Sequence, residues 1–162
     1  DMNRRLFMQA AASLVGSPDP SPISTDSDRH KLQTESQPAD WIAEQLGQEF
    51  PLDSGVNWVQ LENEYRLPAT ADAAKTYALV FNALIDAPYR EDYYDCEDVS
   101  MQLTNLFARA GMNAGFGINS THAFCVFVTA DEHVIKWEPQ TAQDVTTWEL
   151  DRYKLNDGTL LF

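Results

Sequence analysis

The sequence predicts an α+β fold, with N-terminal helices packed on a C-terminal antiparallel sheet. Two observations carry this. Apolar residues recur at helical spacing in three segments up to Gly111, and from about residue 114 the apolar period changes to two. Helices first and strands afterwards is an α+β order. Size agrees: 162 residues allow one domain with a real core and are too few for two. A hydrophobic content of 44%, with eight Phe, six Tyr and four Trp, marks the chain as globular.

The elements follow in order. Met2–Gly16 carries twin arginines before an apolar stretch, so it reads either as a Tat-type export signal or as an amphipathic helix that docks on a partner. Its apolar part is too short to span a membrane. Residues 16–40, rich in Ser, Pro, Asp and Gln, form a linker or extended arm, so residues 1–40 make an N-terminal segment and 41–162 the domain. Asp40 caps a first helix carrying Trp41, Ile42 and Leu46 on one side. "GVNWVQLENEYRLP" reads as one irregular strand. Thr70 caps a second helix, with Ala74, Tyr77, Ala78, Phe81, Leu84 and Ile85 at helical spacing and Pro88 closing it. A third starts at Asp95 and stops at Gly111, with Val99, Leu103, Leu106 and Phe107 on its apolar face. Strands follow in "AGFGIN", "HAFCVFV" and "HVIKWEP", and "WELDRYKLNDGTLLF" reads as a closing hairpin turning at Asn156–Asp157–Gly158.

Charge narrows the partners. A formal charge of −14, with 11 Lys and Arg against 25 Asp and Glu, excludes nucleic-acid binding, which needs a basic stripe against phosphates. It suits a saline habitat or a highly soluble exported or virion-associated protein. Two cysteines are too few for a disulfide framework.

Cys96 is the residue to explain. It stands in the first turn of the third helix, where the dipole favours thiolate, but Asp95, Glu97 and Asp98 oppose that charge. A nucleophilic Cys96 needs a base within hydrogen-bond reach and a group to orient that base. His122 opens "HAFCVFV". If Val128 pairs with Glu132 across the turn, His122 falls opposite Glu138, within reach of a hydrogen bond. A two-residue turn at Ala130–Asp131 would part them. Cys125 lies on the other strand face, ~10 Å beyond His122. A Cys96–Cys125 bridge requires Cα atoms within ~7 Å, so bridge and triad exclude each other.

"YDCEDVS…LTNLFARAG", "HAFCVFV" and "WEPQT" together resemble papain-like and transglutaminase-like cysteine peptidases, in particular the protease domain of fungal agglutinins and its phage relatives. The resemblance covers residues 77–143. It implies a papain-like/transglutaminase-like core in which Cys96 is the nucleophile, His122 the base and Glu138 the orienting acid. It implies acyl transfer from a protein or peptide substrate through a thioester. The upstream Gln of the papain-like pattern is missing; Gln60, Tyr93, Tyr94, Trp137 and the Cys96 amide are the candidate oxyanion donors. Glu97 and Asp98 read either as ordinary first-turn acids or as ligands of Ca²⁺, the cation that activates the agglutinin-type relatives. Two rival expectations use the same chain differently. One is a cell-wall amidase of the endolysin kind. The other is a non-catalytic virion or tail protein that keeps the fold and assembles through its N-terminal arm.

Overall fold

The computed structural model describes residues 32–51, 55–85 and 95–162. The chain divides into two units, Asp1–Leu32 and Gln33–Phe162. The Met2–Gly16 segment, most of the linker, Tyr93 and Tyr94 lie outside the described residues.

Eight strands and three α-helices follow one another among the described residues. The order is β1 (Thr34–Pro38), α1 (Ala39–Glu49), β2 (Asn57–Val59), β3 (Glu64–Pro68), α2 (Ala71–Asn82) and α3 (Cys96–Arg109), then β4 (Gly115–Ile118), β5 (Ala123–Val128), β6 (Val134–Glu138), β7 (Gln143–Asp144) and β8 (Thr159–Leu161). Six strands form one sheet in the order β2-β8-β4-β5-β6-β7, while β1 and β3 pair antiparallel as a separate ribbon.

This corrects the expectation of helices first and an antiparallel sheet afterwards. Three strands precede α2, and the large sheet is mixed, because β2 runs parallel to β8. "GVNWVQLENEYRLP" is two strands in two different sheets, separated where Leu61 and Glu62 turn over the Tyr65 hydroxyl (3.1 Å to each amide). Strand structure also begins before residue 41, since Thr34–Pro38 pairs with β3. Nor is there a closing hairpin. Asp151–Tyr153 is a 3-10 turn, and β8 pairs with β4 and β2, not with the segment before it.

Helices cover both faces of the central strand β5. Ile42 and Leu46 of α1 join Tyr65, Leu67, Phe124, Val126 and Val128 in one core. On the other face Phe107 of α3 stacks on Phe127 (4.6 Å) and meets Phe81 of α2 edge-on (5.1 Å). Burial on both faces explains why every residue of β5 is buried, as its continuous apolar run foretells. All six side chains of β5 are buried, and each fully buried Phe or Val contributes ~1.5–3 kcal/mol.

The β5–β6 hairpin has a different register from the expected one. Val128 pairs with Val134, not Glu132. The cause is the loop. Thr129 and His133 close it (3.0 Å), the Glu132 amide donates to the Thr129 carbonyl (3.0 Å), and Glu132 adopts φ 67°. That is a three-residue loop ending in a left-handed residue, one of the common hairpin forms. The slip is two residues, so every side chain keeps its face.

Candidate functional site

α3 begins where the sequence places it. Asp95 is the N-cap in extended backbone, and the Asp98 carboxylate accepts from its amide (3.4 Å) in a capping box. Val99, Ser100, Leu103 and Phe107 bury one face of the helix against the sheet, which turns Cys96 toward the start of β5. There the Ala123 amide hydrogen-bonds the sulfur. The thiol donates to Glu97 Oε2 (3.1 Å). Burial, then the Glu97 bond, push this thiol up to about 11, and the charges of Glu97 and Asp95 add to the rise against the single opposing bond from Ala123. The helix dipole loses to desolvation and carboxylates. Cys96 is a protonated thiol at neutral pH.

His122 precedes β5 in an Asn-initiated turn: Asn119 Oδ1 accepts from the amides of Thr121 and His122 (2.9 Å each). Although the expected register is wrong, His122 and Glu138 meet. His122 Nε2 and Glu138 Oε2 are 2.6 Å apart and both side chains are buried. They are diagonal neighbours across the hairpin, still within reach of long side chains. Glu138 also accepts from the Gln140 amide (3.0 Å) and the Tyr153 hydroxyl (2.9 Å). Burial alone would raise its pKa, but the bonds from His122, Gln140 and Tyr153 outweigh it and hold the carboxyl below its ordinary range. Tyr153 is pushed up to about 12 by burial and by that same carboxylate. Its ring stands edge-on to His122 (5.5 Å) and to Trp148 (5.8 Å), and Trp148 is 37% exposed.

Cys96 and His122 thus flank one strand start. Among the described residues, however, the thiol bonds Glu97 and Ala123, and no hydrogen bond joins it to the imidazole. Of the expected oxyanion donors, the two side chains among the described residues are engaged elsewhere. Gln60 Nε2 donates to the Ala39 carbonyl (2.8 Å) and Trp137 Nε1 to Asn82 Oδ1 (3.2 Å). Both cysteines are free, and Cys125 donates to the Ser100 carbonyl (3.5 Å). The expected Ca²⁺ ligands divide as well. Asp98 serves the capping box, whereas Glu97 groups with Asp95 and Cys96, their ligand atoms within 4.8 Å of one another. Tyr153 and Gln140 were not legible as site residues, because only the fold brings residue 153 back over the hairpin. Asn119 was missed too, although the Asn-Ser-Thr-His order of an Asn-initiated turn is a signal that could have found it.

No family model matches the chain, and no curated protein does. Solved structures do. A PSL1a–E64 complex is similar with a TM-score of 0.59 and 19% identity over 87% of this chain and 55% of that one. The lectin of Polyporus squamosus, bound to the human-type influenza-binding epitope Neu5Acα2-6Galβ1-4GlcNAc, follows with 0.53 and 16% over 82% and 50%. The chain spans about half the length of each, and at these identities the likeness shows the fold alone.

These neighbours correct the expectations drawn from the peptidase resemblance. One of them is named as a lectin and neither as a papain-like peptidase, so the likeness does not support the papain-like/transglutaminase-like family and core expected from the motifs. Nor do these neighbours support cysteine-dependent acyl transfer, the rival amidase or the virion or tail protein, and a Cys96 thiol pushed up to about 11, with no bond to the imidazole among the described residues, points away from acyl transfer as well. Among the described residues no helix is long and apolar enough to cross a membrane.

Proposed function

We propose that this domain is a carbohydrate-binding module, with Trp148 as its exposed aromatic ring, buried Tyr153 backing that ring, and Cys96, His122 and Glu138 behind them. The observation that carries the reading is the run of rings from solvent inward. Exposed Trp148 leans on Tyr153, Tyr153 on His122, and His122 and Tyr153 both end on the Glu138 carboxylate. A sugar needs both halves of this arrangement. Its C–H face stacks on an amphipathic ring, and its hydroxyls need a few fixed polar groups beside that ring. The likeness to a lectin that binds a sialylated trisaccharide supports the same reading.

Calorimetric titration with Neu5Acα2-6Galβ1-4GlcNAc and with Galβ1-4GlcNAc tests it. Saturable binding of either, weakened tenfold or more in Trp148→Ala, is expected. A wild-type protein that binds neither, or a Trp148→Ala variant that binds as well as wild type, ends the proposal.

A further inference from the structure

A cavity of about 110 Å³ opens beside the C-terminal end of α1, on the core face of β6. Phe50, Val56, Tyr153 and Leu155 give it apolar walls, and Lys136 and Lys154 belong to its lining, the Lys154 ammonium being paired with Asp151 Oδ1 (3.0 Å). We propose that this cavity is a binding site for a small monocarboxylate.

Lys136 is the reason. It occupies a core-facing position opposite Val126 and is only 9% exposed. Lysine is almost never this buried unless paired. An ammonium has three donors, and among the described residues Nζ spends one, on Glu49 Oε1 at 2.7 Å, while the ring of Phe50 lies 5.9 Å away. Glu49 is a poor permanent partner. It is the last residue of α1, where the helix dipole repels a carboxylate, and its side chain is 31% exposed, so it can turn to solvent. An external carboxylate entering the cavity takes its place on Lys136. The apolar walls select a short alkyl tail over a bare oxyanion. Tyr153 separates the cavity from the His122–Glu138 pair, so occupancy is reported by a ring that touches both. The inference does not depend on the carbohydrate reading.

The full chain is titrated with sodium butyrate at constant ionic strength, with Tyr153 ring signals followed by NMR. Sodium phosphate and butylamine serve as comparators. Saturable shifts are expected with butyrate, at least tenfold weaker in Lys136→Met and severalfold tighter in Glu49→Gln, where the internal competitor has lost its charge. No saturable shift, an equal response to butylamine, or equal affinity for phosphate overturns the proposal. If Lys136→Met does not fold, Glu49→Gln decides by its sign: unchanged or weaker butyrate binding also overturns it.

Discussion

Cys96 bonds the Ala123 amide and Glu138 bonds the His122 ring, so neighbouring residues at one strand start join two groups that are held very differently. Glu138 has three donors on two oxygens and is 3% exposed. Its charge is stabilised from every side. Cys96 is half-buried among carboxylates, with one backbone donor, and stays neutral. Burial raises the pKa of both; what differs is the number of donors aimed at the charged form. The pair is architecture strong enough to build on, and the thiol is a quiet neighbour.

Removing one side of the pair is the most damaging way to break this contrast. Glu138→Ala strands a buried imidazole and the Tyr153 hydroxyl, and a loss of ~3–5 kcal/mol in urea unfolding is expected. The pH dependence sharpens the point. The folded Glu138 carboxyl lies below its ordinary range, whereas the unfolded one titrates near ~4.3. Between those values the unfolded chain binds more protons. The stabilisation is therefore complete above the unfolded value and disappears as pH falls through the folded one. Urea midpoints from pH 7 down to 3 should show this slope in wild type and less of it in Glu138→Gln.

The thiol comes next. With Cys96 pushed up to about 11, iodoacetamide should label it about a hundredfold more slowly at neutral pH than an ordinary cysteine, since only thiolate reacts. Glu97→Gln should lower the midpoint and speed labelling. A midpoint below 7 in wild type would reverse the contrast between the two groups. The smallest effect belongs to the helix start. Asp98→Ala removes one arm of the capping box and should cost ~0.5–1 kcal/mol in unfolding, with the Glu138 pH slope unchanged.

What the sequence disclosed depended on how local the cause was. The Thr70 and Asp95 caps are decided within four residues, and both stand. The His122–Glu138 pair was legible because strand faces alternate. A register wrong by two residues still leaves both side chains on one face, and long side chains bridge the diagonal. The ribbon of β1 and β3 was not legible. "TESQP" has no apolar alternation, and its partner lies beyond α1. The protonation of Cys96 was open on the residues alone, since dipole and acids oppose each other and burial, visible only in the fold, decides. The likeness in fold to a solved lectin lay outside what three motifs in order could establish.

The place of β8 has a consequence for how the molecule comes together. Asn57 of β2 finds its partner Thr159 only about a hundred residues later, and β8 is the strand that joins β2 to β4. During synthesis the β4–β6 meander can form as soon as it emerges, whereas β2 must wait with an unpaired edge until β8 arrives. Over that interval Trp58 and Val59 are what a chaperone, or another nascent chain, would meet first.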